Sequence, residues 1–246
     1  MALTLVTANR VHSSWSLRPW LLLKAFGIPF EDVVIPFGPT FDDPAWKAKV
    51  RAYAPSGKVP ALRDGNVAVW DSLSIVEYVA ERRPDLAIWP RDLAARAHAR
   101  SVSAEMHSGF SALRSACPMH LGKIFAPRDR GPAVAADVAR IEAIWAEARS
   151  RFGAPSGAGP YLYGAFSAAD AMFAPVCTRF RSYSVEVGEG ARAYMDAIYA
   201  HPAFREWHEA ALAEPWLVPE DEPADEATLA DHRAERGVNV RLHPGH

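Results

Sequence analysis

The spacing of apolar and polar residues changes character about a third of the way along the chain. Residues 3–7, LTLVT, and the later EDVVIPF are short apolar runs that read as strands. Between them, residues 15–26, WSLRPWLLLKAF, read as a helix that stops at Gly27. Pro19 fits only the first turn, so this helix is expected to begin near Ser16 or Leu17, with Ser16 as its cap. Residues 43–55, DPAWKAKVRAYAP, form a short helix ended by Pro55. Val59 to Arg63 and Val67 to Trp70 flank Asp64-Gly65-Asn66, a turn that predicts an antiparallel hairpin. Ser72 is then expected to cap a helix with Leu73, Val76 and Ala80 on one side and Ile75 and Val79 widening the stripe. Pro84 ends it, giving the order β-α-β-α-β-β-α.

Beyond RRPDLAIWPRD, a linker over residues 84–92, the period becomes helical throughout. One helix is expected from Leu93 to Ala116, just before Pro118. A second covers residues 132–152, with Val138, Ile141, Trp145 and Ala148 on one face. GAPSGAG reads as a loop. Ser167 and Asp170 make a capping box ahead of AMFAPVCTRFRSY, which is apolar enough to be a central helix bent by Pro175. Shorter helices follow near residues 190–200 and 202–213. The tail from Glu220 holds seven acids and three arginines, and it reads as an extension lying over the surface or partly disordered. The expected division is residues 1–83, a linker over 84–92, a helical unit over 93–219, and an extension over 220–246.

Composition narrows the function. With 246 residues, half of them apolar, a sizeable core is available. The formal net charge of -2 and the lack of a long Lys/Arg run argue against nucleic acid or an anionic membrane as partner. The apolar start is too short for a secretion signal, and no run spans a membrane. Cys117 and Cys177 lack metal-ligand spacing and the nine histidines are scattered, so neither a metal site nor a disulfide framework is expected. A cytoplasmic location is the default.

HSSWSLR packs Ser13, Ser14, Ser16 and Arg18 into the start of the first helix. These hydroxyls either open the helix or hold a reacting group. Three further stretches bear on the choice: KVPALRDGNVAVWDS, FSAADAMFAP and HPAFREWHEA. Taken in this order, the four resemble the cytosolic glutathione transferase family over roughly residues 3–215. HSSWSLR resembles the Ser-type segment of the zeta and tau classes, where an active Ser lies five residues before an Arg, here Ser13 and Arg18. The resemblance implies an α/β thioredoxin-like N-terminal domain plus an all-α C-terminal helical bundle domain, glutathione as cosubstrate, and a homodimer. Phe37 and Phe41, flanking the FGPTFDDP loop, are candidates for the dimer contact or for core.

It also implies roles. A cis Pro60 turns the Val59 N–H and C=O outward to bind glutathione as an added strand; the alternative is a trans proline opening an edge strand. Asp71 and Ser72 meet the γ-glutamyl group, or simply cap the helix. Lys58 meets the glycyl carboxylate, or is solvated. Ser13, with Ser14 as a second donor, stabilises the glutathione thiolate by hydrogen bonding, since a serine is no base near neutral pH. No His/Asp pair adjoins Ser13, which argues against a covalent seryl intermediate. Arg18 reads as structural, and His12 either lines the pocket mouth or is exposed. Met106, Phe110 and Arg114 recur a turn apart and, with Trp15, form an apolar wall with one cation suited to an electrophile bearing an acid; the alternative is bundle core. His107 is placed on another face of that helix. Two departures matter: Trp15 stands where the zeta class has a reactive Cys, and Asp71 replaces the commoner Glu. The thiolate step is shared by transfer, isomerisation, ether cleavage, dehalogenation and peroxide reduction, so the N-terminal motifs do not separate them. A non-catalytic glutathione-binding protein is the reading from another class.

Overall fold

The computed structural model describes residues 3–38, 40–223 and 225–242. The chain opens with β1 (Leu3–Thr7), α1 (Ser14–Ala25), β2 (Phe30–Val34), α2 (Pro44–Arg51), β3 (Ala61–Asp64), β4 (Val67–Trp70) and α3 (Ser72–Arg82). The sheet order is β2-β1-β3-β4, with β1 parallel to β2 and antiparallel to β3. The β3–β4 hairpin turns through Gly65 at φ 59° and pairs Asp64 with Val67. Alternation along β1 sends Leu5 to the core shared with α1 and α3, and Val6 to a smaller cluster with Ala54 and Ala61.

α1 is buried along most of its length and packs on both the sheet side and the central helix α8 (Ala168–Ser182). α8 is buried nearly all round, as a helix in the middle of a bundle must be, and its polar residues are buried with it. At its start Asp170 accepts from the Ser167 amide at 2.8 Å and from Leu162 N and Tyr194 Oη at 3.1 Å each. Around α8 stand α4 (Leu93–Ser108), α5 (Ser111–Ala116), α6 (Pro132–Ala148), α9 (Glu189–Ala200) and α10 (Pro202–Ala213). Trp145 on α6 and Trp207 on α10 are fully buried, and truncating either to Ala would cost about 3–5 kcal/mol. Both cysteines are buried free thiols. Among the described residues no helix is long and apolar enough to cross a membrane.

Five expectations are corrected. α1 begins at Ser14 with Ser13 as N-cap, so Pro19 lies inside it and removes one main-chain bond, a loss the buried packing of Leu17 and Leu21 tolerates. Asp71, not Ser72, caps α3, accepting from Leu73 N at 2.9 Å and Ser74 N at 3.2 Å. The helix foreseen over residues 93–116 breaks at Gly109–Phe110, where Phe110 adopts a left-handed φ of 57° and Arg114 falls on the separate α5. α6 runs on through a π-helical turn, Arg149–Gly153, into α7 (Ala154–Ser156), where a loop was expected. The tail is not a loose surface extension. Its strand β6 (Thr228–Asp231) pairs with β5 (Lys123–Phe125), and α11 (His232–Glu235) follows. Leu217 N donates to Arg241 O at 2.8 Å, and buried Arg233 donates to Trp216 O at 2.9 Å.

Candidate functional site

A cavity of about 400 Å³ lies between the sheet and the helices. One wall comes from the first third of the chain: Ser13 and Ser14 at the start of α1, and Lys58 and Val59 before β3. The Ser13 hydroxyl donates to Ser16 Oγ at 2.7 Å, and Ser14 Oγ accepts from Arg179 Nη2 at 3.3 Å. The Trp15 and Ser16 amides, in the first turn of α1, have no acceptor among the described residues. The Val59–Pro60 bond is cis. Neither the N–H nor the C=O of Val59 bonds to another described residue, so both remain available on the cavity wall.

The facing wall comes from α5, α8 and the tail, and it is charged. Arg179 is buried in α8 and donates to the carbonyls of Cys117 and Arg114 as well as to Ser14. Among the described residues it has no carboxylate within ion-pair distance. Burial first, then the neighbouring Arg114, lowers its pKa to about 10. Arg114 donates to His107 O at 3.1 Å, and its guanidinium lies 4.3 Å from the Trp15 ring. Buried Arg18 lies 4.1 Å from the same ring and donates to Ser72 Oγ at 3.3 Å. Two guanidiniums thus flank Trp15 and a third meets Ser14 beside it, none with a carboxylate in ion-pair distance among the described residues, an arrangement suited to an anionic ligand. The tail adds Asp221, whose carboxyl is raised to about 7 by burial.

His12, in the cavity lining, meets His120 and Glu222 behind it, and the donor atoms of the three all lie within 4.8 Å of one another. This cluster escaped notice in the sequence because its members are more than a hundred residues apart. Gly122 N donates to His120 Nδ1 at 3.2 Å, which leaves the ring proton on Nε2, 3.1 Å from Glu222. Lys123 meets the other Glu222 oxygen at 2.7 Å, and Arg233 approaches at 3.4 Å. With two cations already on the carboxylate, the cluster fits a hydrogen-bonded hub better than a metal centre. Burial, then His120, lowers the His12 pKa, so its ring stays neutral.

The glutathione S-transferase N-terminal domain model matches residues 12–82, and the C-terminal domain model matches residues 131–210. The chain belongs to the glutathione S-transferase family. A probable maleylacetoacetate isomerase of Caenorhabditis elegans is 32% identical over 43% of this chain and 47% of its own length. Glutathione S-transferase Z1 of Arabidopsis thaliana is 36% identical over 35% of this chain and 38% of its own. The chain thus matches less than half the length of these curated relatives. Among solved structures, a glutathione transferase homologue from Burkholderia with bound glutathione superposes at TM-score 0.62 with 19% identity, over 86% of this chain and 98% of that one. The beta-etherase of Sphingobium superposes at 0.61 with 22% identity, over 85% and 100%. At such identities these two speak for the fold.

In this glutathione S-transferase family member the cavity brings together Ser13, Ser14, Trp15, Lys58, Val59 and Arg114. Pro60 is buried beside Val59. Met106 and Phe110 are not on the cavity: both are buried core, and Met106 Sδ accepts from Arg18 at 3.5 Å. The turn-by-turn spacing that grouped them with Arg114 fails because the helix breaks between them. Asp71 and Ser72 also lie off the cavity lining, at the start of α3. His107, set aside on sequence grounds, reaches Asp71 at 3.1 Å and packs against Trp15 with ring centroids 5.2 Å apart. His12 lines the cavity and is buried rather than exposed. Phe37 and Phe41 line the cavity, with ring centroids 4.9 Å apart. Sequence reasoning missed Arg179 and Asp221. A cation inside the otherwise apolar run AMFAPVCTRFRSY was a usable signal for the first; nothing local marked the second.

Proposed function

We propose that the chain is a glutathione transferase that holds glutathione along Val59, keeps its sulfur ionised beside Ser13 and Ser14, and adds it to a small electrophile bearing an acidic group. The observation that carries this reading is that two hydroxyls, the unpaired first-turn amide of Trp15 and an unpaired main-chain N–H and C=O share one cavity wall. The hydroxyls and the positive end of α1 favour the thiolate over the thiol. Val59 offers strand-like pairing to the cysteinyl unit, and Lys58 a charge for the glycyl carboxylate. Asp71 and Ser72 serve the γ-glutamyl end from the start of α3 in this reading, next to the cavity rather than in its lining. Arg114 and Arg179 face the electrophile and supply its anion site. The family likeness also supports a homodimer, which sedimentation would read.

The deciding experiment is a pH titration of thiolate absorbance for glutathione bound to wild type, S13A and S14A. Loss of one charge-assisted hydrogen bond, about 1.5–3 kcal/mol, should raise the thiol pKa by roughly 1–2 units. An unchanged titration in S13A would remove Ser13 from the chemistry, and no binding of glutathione to wild type would end the transferase reading. Isomerisation is the second reading, favoured by the names of the curated relatives. Trp15, standing where the zeta class has a reactive Cys, counts against it.

A further inference from the structure

We infer that Asp221 is the general acid of the cavity: when glutathione thiolate adds to an activated double bond, its carboxyl delivers the proton that completes the addition. This rests on the transferase reading above and extends it to residues of the tail.

The placement is specific. Asp221 ends the 3-10 turn Pro219–Asp221, and its amide donates to Val218 O at 3.0 Å. Val218 is buried in a cluster with Ala8, Phe37, Trp46 and Val50, so the turn is anchored to the wall of the cavity. The two neighbouring acids are committed elsewhere. Glu220 accepts from Phe41 N at 2.5 Å, and Glu222 is held by His120 and Lys123. Asp221 alone of the three lines the cavity, and its carboxyl makes no hydrogen bond to another described residue. The other acid of the lining, Asp42, is exposed and paired with Lys47, which keeps it ionised.

The charges facing Asp221 set its state. Arg179 from α8 attracts its proton away; Glu220 and Glu222 on its own segment oppose that. Arg114, Lys47, Lys58 and His12 face the same cavity from other elements. Burial dominates and raises the carboxyl to about 7, so an appreciable fraction carries a proton near neutrality.

The chemistry balances. A new S–C bond forms at the β-carbon of an enone, and the π pair moves onto the α-carbon and carbonyl oxygen, where Arg179 can meet the negative charge. The Asp221 O–H bond breaks as the α-carbon takes the proton. Solvent then reprotonates the carboxylate, replacing the proton lost when the thiol ionised. Substitution on an aryl halide needs no such proton, because the halide leaves with its electron pair.

The test compares ethacrynic acid, an enone, with chlorodinitrobenzene, an aryl halide, in wild type, D221N and D221E. D221N should lower the enone kcat about a hundredfold more than the aryl-halide kcat. The ratio of the two is insensitive to any loss of folded enzyme. D221E should recover most of the enone rate. In wild type the enone kcat should fall as pH rises past about 7, and D221N should lose that limb. Equal losses on both electrophiles, or a D221N profile that keeps the limb, overturns the role of Asp221 and leaves the transferase reading standing. Wild-type turnover of the aryl halide alone does the same. Wild-type turnover of neither electrophile overturns the transferase reading, and the role of Asp221 with it.

Discussion

The wall of the cavity built by Ser13, Ser14, Lys58 and Val59 offers hydroxyls, main-chain groups and one exposed ammonium; the wall facing it offers two guanidiniums and a raised carboxyl. The first wall is made mostly of neutral dipoles fixed by the backbone, with the solvated Lys58 at its edge, and the second of charges fixed by long-range packing. Neutral, backbone-set groups suit a partner of constant shape. Charged groups in a dry cleft discriminate between partners of different charge, because a buried charge without a counter-ion is costly. In the transferase reading proposed above, the contrast gives the two halves of a conjugation to the two halves of the fold.

Removing Arg179 should disturb this contrast most. R179A should weaken kcat/KM for an electrophile bearing a carboxylate by roughly tenfold to a hundredfold, the value of a charge-assisted hydrogen bond of about 1.5–3 kcal/mol. A neutral electrophile of similar size should lose far less, and equal losses would show that the charged wall does not read charge. Next in size is E222A, which removes the carboxylate holding the tail to His120 and Lys123. Denaturant unfolding should show a loss of about 2–3 kcal/mol at neutral pH. Burial pushes the Glu222 carboxyl up, but its hydrogen bonds to His120 and Lys123 prevail and hold it below the usual range. A depressed carboxylate stabilises above its unfolded pKa and less as pH falls through the folded one, so E222A should flatten the acid side of the stability profile.

Asp221 has the opposite sign. Its folded pKa, about 7, lies above the unfolded value, so its contribution is full in acid and is lost as pH rises toward 7. D221N should therefore gain on wild type by up to about 2 kcal/mol between pH 5 and 7, measured by paired urea titrations. A constant difference across that range would mean that Asp221 is ionised throughout. The smallest effect belongs to the other wall. K58A should raise KM for glutathione by a few-fold at most, since an exposed ion pair is worth about 0.2–1 kcal/mol, and added salt should erase the difference.

The first wall could be read from the chain because its determinants are local. Asp64-Gly65-Asn66 gives the hairpin, Pro84 ends α3, and Ser13 and Ser14 stand in the hydroxyl-rich run that opens α1, although the helix starts two or three residues earlier than Pro19 suggested. The break at Gly109–Phe110 was harder to read, because a lone glycine is tolerated within a helical pattern and a Phe rarely adopts the positive φ that Phe110 shows. The second wall was hidden for a related reason. Glu214, coded after α10, accepts from Arg10 N at 2.9 Å and from Val11 N at 3.3 Å, and Glu222 finds His120. Three of the tail acids, Glu220, Glu222 and Glu226, find partners at Phe41, His120 and Arg130, which lie 179, 102 and 96 residues earlier. Composition records such acids, but only the fold supplies their partners.

Cys117 and Cys177 carry a last implication. Both are fully buried, and burial pushes the Cys117 thiol up to about 11 and that of Cys177 above its ordinary value. A protein that concentrates alkylating molecules beside a sulfur of high reactivity endangers any sulfur of its own. The resident thiols are kept both out of reach and in their unreactive protonated form, so the transferase reading expects turnover without self-inactivation.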